Sequence, residues 1–300
     1  MARSLGRTRL VLLAVLPVLS LSLWSVVIEP RSLRNENHEI VVPAWPAGCD
    51  GLRIAILTDL HVGSPFNGID KLDDVVALTQ RARPDLVLLA GDYVIHGVVG
   101  GQFVEPEEIA QRLAHLSAPL GVWAVLGNHD WALDARRVRR ALESAGIPVI
   151  DDESRRIESG SCSLWIAGIS DYWEAAHDVA RALSGVPPDA PILAFTHNPD
   201  VFPDVPSRVA LTIAGHTHGG QVFLPVVGRP VVPSKFGQRY AIGHVVENGR
   251  HLFVSSGLGT SIVPVRFRVP PEVSVLTVHA TRASGSERAT SDTGTPFRTD

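Results

Sequence analysis

The sequence predicts an α/β domain whose second half joins a second sheet, preceded by a helix that spans a membrane. Three observations carry that reading. Short apolar runs alternate with stretches of helical periodicity through the first half of the chain. The C-terminal third is more purely β in pattern, and an uncharged apolar run extends from Leu10 to Ile28.

As a helix, the Leu10–Ile28 run would be roughly 28 Å long, about the thickness of a bilayer core. Pro17 is tolerated in a membrane span, and Trp24 suits an interfacial position. The run exceeds the apolar core of a signal peptide and no A-x-A pattern closes it, so a retained anchor is expected rather than a cleaved leader. Arg3, Arg7 and Arg9 precede it, while Arg31 and Arg34 follow closely. That weak bias puts the main domain outside the cytoplasm. Residues 1–28 are therefore expected as a cytoplasmic stub and anchor, and residues 29–50 as a Pro-containing linker. Residues 51–280 form the folded domain, and residues 281–300, which lose apolar periodicity, a disordered tail.

Within the domain, Leu52–Leu57 (LRIAIL) reads as a buried strand. Ile69, Leu72, Val75, Val76 and Thr79 then recur at helical spacing. Asp85–Ala90 is the second strand, with a helix behind it through Ile109, Leu113 and Leu116. Gly121–Leu126 is the third, followed by a helix over Asp134–Ala145. Later strands are expected at Ser163–Gly168, Ile192–Thr196 and Ala210–Ala214. The last third supplies Gln221–Leu224, Tyr240–Val246, Leu252–Ser255 and Val273–Val278.

Composition narrows the partners. The hydrophobic set makes up 45% of the chain and charged residues 19%, so most of it is too apolar to stay disordered. A formal net charge of −4, with no basic stripe or aromatic stacking series, gives no reason to expect nucleic acid. Cys49 and Cys162 cannot form a CxxC zinc site or a disulfide framework. Two buried thiols are expected, with a mutual disulfide as the alternative in an exported chain.

Chemistry concentrates where the apolar strands end. The first ends in Asp59-Leu60-His61, the second in Gly91-Asp92, the third in Gly127-Asn128-His129-Asp130. Later strands end in Thr196-His197-Asn198 and in Gly215-His216-Thr217-His218. One such Asp or Asn is a turn or helix cap, and one such His is ordinary packing. Five strand ends in succession carrying Asp, Asn or His predict a cluster of metal ligands, because loops beyond the carboxyl ends of strands converge in open α/β sheets. Two cations a few ångströms apart repel unless a carboxylate lies between them. Asp92, with Gly91 before it to let the backbone pass closely, suits that bridging place. Mixed imidazole, carboxylate and amide donors fit Zn, Mn, Fe or Ni better than Ca. The i, i+2 pairs Asp59/His61 and His216/His218 each lie on one face of an extended segment.

The ordered set DLH, GD, GNHD, a lone His and GHTH resembles the calcineurin-like metallophosphoesterases over roughly Leu52 to His279. The resemblance implies a four-layered α/β/β/α sandwich that uses two divalent metal ions to hydrolyse phosphate esters or anhydrides. It implies one metal held by Asp59, His61, Asp92 and His218. The other would take Asp92, Asn128, His197 and His216, with Asp92 bridging. His129 matches the histidine that stabilises transition-state charge and protonates the leaving oxygen. Many members carry a second acid in a GDxxD segment; here Ile95 stands in its place, and Asp130 is expected to orient the loop. The hydrophobic N-terminus, the GHTHGGQ extension through Gln221 and the later Gly257-Leu258-Gly259-Thr260-Ser261 with Arg266 resemble the membrane-associated branch. Some of that branch resemble hydrolases of UDP-2,3-diacylglucosamine in lipid A synthesis. A phosphate-containing substrate, lipid-linked as one form of it, is thus expected, with the membrane reached through the N-terminal helix. UDP-linked lipid precursors are made on the cytoplasmic face, which conflicts with the sidedness just read.

Overall fold

The structure, a computed structural model, describes residues 15–281. Its strands form two sheets. The first takes β1 (Arg34–Val42), β2 (Leu52–Leu57), β3 (Leu86–Ala90), β4 (Val122–Val125) and the C-terminal β11 (Glu272–Ala280), in the order β1-β11-β2-β3-β4. The second takes β5 (Glu153–Ser159), β6 (Cys162–Ile169), β7 (Ile192–Thr196), β8 (Val209–Ala214), β9 (Gly243–Glu247) and β10 (Arg250–Val254), in the order β5-β6-β7-β8-β10-β9. β2, β3 and β4 run parallel, as do β6, β7 and β8.

Period-2 alternation assigns the faces. Ile54 and Ile56 of β2 and Leu86 and Leu88 of β3 point at the second sheet, meeting Ile166, Leu193, Phe195 and Ile213. Ala55, Leu57, Val87 and Leu89 point the other way, onto three helices. These are α1 (Ile69–Arg81), α2 (Pro106–Leu113) and α3 (Asn128–Ser144), whose buried stripes include Leu72, Val75, Ile109, Leu113, Val138 and Leu142. Both central strands are buried on each face, which is why they read as unbroken apolar runs. The fourth layer is thin. The outer face of the second sheet is covered by the single turn Val179–Ala182 and the 3₁₀ turn Pro199–Asp204, through Ala182, Leu183, Val201 and Val205.

Several expectations need correction. The segment expected as a linker contains β1, paired in parallel with β11 from Arg34↔Glu272 to Val42↔Ala280. Its sequence, RNENHEIVV, carries polar residues because it is an edge strand, which only Ile40 and Val42 tie down by burial. β5 (ESRRIES) escaped notice for the same reason. Gln221–Leu224 is not a strand; Phe223 bonds to Phe267 and Leu224 to Gly228 in isolated bridges. α3 starts at Asn128, ahead of the predicted Asp134, where the backbone instead breaks and restarts. The two cysteines are joined in a disulfide rather than held as free thiols. A 3₁₀ turn (Ala47–Cys49) ahead of β2 lies against the start of β6, bringing the Cα atoms of Cys49 and Cys162 to 4.4 Å.

Only part of the expected membrane span, Leu10–Ile28, lies among the described residues. Leu10–Ala14 and the stub with Arg3, Arg7 and Arg9 lie outside the described residues, as does the expected tail from residue 282. Residues 15–23 are helical and run into a π turn, Trp24–Ile28. Among the described residues no helix is long and apolar enough to cross a membrane. The helical segment is bound to the domain at its end: Ser25 O accepts from Arg266 N at 2.9 Å, and a Glu29 carboxylate oxygen accepts from Val269 N at 2.6 Å.

Candidate metal centre

All the expected ligand residues gather at one pole of the two sheets. The loops after β2 and β3 bring Asp59, His61 and Asp92, the first turn of α3 after β4 brings Asn128 and His129, and the segments after β7 and β8 bring His197, His216 and His218. Around Asp92 Oδ2 lie His197 Nε2 at 3.2 Å, His61 Nε2 at 3.4 Å and His129 Nε2 at 4.0 Å. On the His61 side, His218 Nε2 is 3.2 Å from His61 Nε2 and 3.3 Å from Asp59 Oδ1. On the His197 side, Asn128 Oδ1 and His216 Nδ1 each lie 3.1 Å from His197 Nε2. Donors around a four- or six-coordinate ion with bonds of about 2.1 Å lie about 3.0–3.4 Å apart. The spacing therefore fits two cation-sized positions on either side of Asp92.

The donor atoms are aimed by the rest of the chain. Each carboxylate spends one oxygen on the protein and turns the other inward. Asp59 Oδ2 accepts from His216 N at 2.9 Å and from the Thr58 hydroxyl at 3.0 Å, while its buried Oδ1 has no hydrogen-bond partner. Asp92 Oδ1 accepts from His129 N at 2.9 Å. His197 Nδ1 meets the Ala90 carbonyl at 2.8 Å and His61 Nδ1 the Val94 carbonyl at 3.3 Å. In the tautomer that donates those bonds, each Nε2 lone pair faces the cluster. A carboxylate oxygen that is buried and unpaired is costly unless a cation meets it, so this donor set fits a metal.

Protonation equilibria tell the same story. Burial pushes His61 down to about 3, and His216 and His218 well below the usual imidazole range. Burial also pushes the Asp59 carboxyl up to about 7. His197 goes the other way: burial opposes its charge, but the Asp92 carboxylate beside it outweighs that and raises it to about 10.

Much of this geometry is held in unusual backbone. Asp59, His61, Asp92, His216 and His218 all have positive φ, between 40° and 68°. Such residues cost on the order of 1–3 kcal/mol each and persist only where the surroundings over-determine them. Here the surroundings are tight. A Cβ on Gly91 would lie 2.5 Å from Gly127 N, and one on Gly127 would lie 2.2 Å from Asp92 Oδ1. The fully buried Asp130 ties the two loops together, accepting from Asp92 N and Gly127 N with Oδ2 and from Tyr93 N with Oδ1. Ile95 is buried, and Asp92 is the acid that approaches His129.

Other residues at the site were not anticipated. Trp173, on the loop after β6, sets its ring edge-on to His216, with centroids 4.2 Å apart. His96 does the same to His129 at 6.1 Å. Neither carries a sequence signal beyond its type. Arg266, noted only for its place near the GLGTS segment, is wholly buried, and its guanidinium donates to the carbonyls of Ser256, Gly257, Gly259 and Val269. It is a clamp on that segment rather than a substrate contact. A cavity of about 630 Å³ opens from the cluster, walled by Asp92, Asn128, His129, His216 and His218 at one end and by Val222, Pro230, Val231, Ile262, Val263 and Val265 beyond.

Residues 52–220 match the model of the calcineurin-like phosphoesterases. The chain belongs to that family. Calcineurin-like phosphoesterases are hydrolases that use divalent metals, and the Asp/His clusters of this member are suited to bind them. The chain is 33% identical over 230 residues to the phosphodiesterase YaeI of Escherichia coli, spanning 75% of this chain and 81% of that protein. It is 25% identical over 313 residues to the UDP-2,3-diacylglucosamine pyrophosphatase LpxG of Chlamydia trachomatis, spanning 84% and 91%. It is 26% identical over 284 residues to a transmembrane protein with a metallophosphoesterase domain from Danio rerio, spanning 90% of this calcineurin-like chain and 62% of the relative.

Proposed function

We propose that this chain is a membrane-anchored phosphoesterase with two divalent metal ions, hydrolysing a phosphodiester or pyrophosphate attached to a lipid. The observation that carries the reading is the sharing of Asp92 Oδ2 between the His61 and His197 sides of the cluster. Asp59, His61, Asp92 and His218 hold one ion; Asp92, Asn128, His197 and His216 hold the other. When bound, such a pair supplies Lewis acidity toward a phosphoryl oxygen and a nucleophile at neutral pH. His129, whose side chain is partly open to the cavity, donates a proton to the departing oxygen. Asp92 accepts from the His129 backbone and so fixes where that ring starts.

The apolar cavity wall and the kinship with LpxG support a lipid-linked substrate. The Cys49–Cys162 disulfide supports a domain outside the cytoplasm, because such bonds persist in oxidising compartments. It thereby favours a lipid phosphodiester or pyrophosphate on that side over a cytoplasmic UDP-linked precursor. The N-terminal helical segment, exposed along residues 15–23, is the anchor in this reading.

The test is metal analysis together with hydrolysis of bis-p-nitrophenyl phosphate. Asp92→Asn should lose metal and turnover together. His129→Ala should keep its metal and lose rate by roughly 10²–10⁴-fold on esters with poor leaving groups, the scale of general acids. Turnover that survives a strong chelator, or a His129→Ala protein as fast as the parent on such an ester, would overturn the assignment.

A further inference from the structure

Two loops form the outer rim of the cavity, and both end in apolar side chains held out into solvent. In the first, Leu224 and Gly228 exchange backbone hydrogen bonds of 2.8 Å, closing a tight turn with Val226 and Val227 at its tip. Val226 is fully exposed and has φ +73°. In the second, Ile262 is 69% exposed with φ +63°, and Val263 beside it is also exposed. A β-branched residue in the left-handed region is a steric outlier. Neither Val226 nor Ile262 recovers that cost by burial within this chain.

Charge on the rim is one-sided. The chain carries −4 overall, yet residues 219–246 contain Arg229, Lys235 and Arg239 with no Asp or Glu. Residues 257–271 contain Arg266 and Arg268, again with no carboxylate. Arg266 is buried and Arg239 is paired with Glu247, so Arg229, Lys235 and Arg268 are the cations this rim offers. Arg229 and Arg268 both lie over the Phe223 ring, at 5.2 and 5.6 Å, so the base of the first loop wears a cationic collar.

The strand register adds a third observation. β1 begins at Arg34 opposite Glu272, and Ser274 faces Ile56 near the end of β2, so β1 starts at the pole that carries the metal centre. The apolar helical segment before it joins the rim directly through Ser25 O and Arg266 N. Exposed Leu23 and Ile28, on either side of Ser25, therefore lie at the same pole as Val226 and Ile262.

We propose that the mouth of the cavity is a membrane-docking surface: Val226, Val227, Ile262 and Val263 enter the lipid interface and the arginine collar meets anionic headgroups. The cavity would then open at the depth of a lipid phosphate. The inference extends the lipid-substrate reading, but its first test does not depend on it. Since both native cysteines are paired, a single new cysteine is the one free thiol for a spin label. Labels go on the full chain at Val226→Cys, Ile262→Cys and, as a control on the opposite pole, Glu158→Cys. The protein is reconstituted in vesicles of phosphatidylcholine containing phosphatidylglycerol. Labels at 226 and 262 should be shielded from a water-soluble nickel chelate and reached by oxygen, while the label at 158 stays aqueous. Equal access of the chelate to all three would overturn the proposal.

A kinetic arm uses Val226→Asp, which suits a left-handed backbone and lies outside the cavity wall. Its KM for p-nitrophenyl hexadecyl phosphate in those vesicles should rise about 10-fold or more, the scale of losing one buried apolar side chain. Its turnover of bis-p-nitrophenyl phosphate in solution should be unchanged. An unchanged KM in vesicles, or an equal loss on both esters, would count against docking. Buried labels on a protein that hydrolyses neither ester would support docking and tell against the phosphoesterase reading alone.

Discussion

Asp59 and His197 sit on opposite sides of Asp92, and each binds a proton more tightly than its free side chain does, in competition with a cation. Asp59 is pushed up to about 7 by burial, and His197 is raised to about 10 by Asp92 despite burial. Both protons leave on metal binding, so affinity should strengthen as pH rises through 7 and keep rising toward 10. Titration calorimetry of manganese or zinc in buffers of different ionisation enthalpy checks this through the protons released. No release near pH 7 would contradict it. These residues were legible in the sequence because each follows an apolar run that could only be a buried strand. The left-handed backbone of Asp59 was not, since an aspartate carries no mark of φ. Asp130 was visible as a loop-orienting acid; its bonds to the Asp92, Tyr93 and Gly127 amides depend on two loops meeting in space.

Among the elements, the segment from Ser255 to Val269 does more than its sequence advertises. A Cβ on Gly257 would lie 2.6 Å from Asp59 Cβ, and Arg266 grips the segment by four carbonyls. Gly257 also has φ +69°, which a side chain would strain. Gly257→Ala should push Asp59 away, lowering metal affinity by about 10–100-fold, the range seen when groups supporting ligands are lost. Gly51→Ala, at an equally left-handed position with open space around it, should leave metal affinity unchanged. Equilibrium dialysis of both variants makes the comparison. The segment's Gly-Leu-Gly pattern could be read only as a likeness, because its partner in the fold lies some two hundred residues upstream. Central strands were easier: burial on both faces writes itself as an apolar run, whereas β1 and β5, at sheet edges, are polar and passed for connections.

For the molecule as a whole, the Cys49–Cys162 bridge fastens the start of β2 to the start of β6, and so one sheet to the other at the pole away from the metal centre. It spans 113 residues of chain. A link over so long a loop is worth about 4–5 kcal/mol in the chain-entropy model. Reduction should lower the melting temperature by roughly 10 °C, at about 2–4 °C per kcal/mol for a domain of this size. Scanning calorimetry with and without reductant measures it, and identical curves would deny the bridge a role. The sequence offered that pairing only as the alternative for an exported chain, because the proximity of two cysteines so far apart is a product of both sheets closing.

The side-by-side course of β1 and β11 also settles where additions to the polypeptide go. Both strands run away from the catalytic pole, so residue 281 leaves the domain beside Asp50, whose carboxylate accepts from Ala280 N at 2.9 Å. A fluorescent protein or affinity tag joined directly after Thr281 therefore departs from the face remote from substrate entry. The same cargo fused ahead of Arg34 would arrive beside the cavity. Reagents for this enzyme are best built on its trailing end.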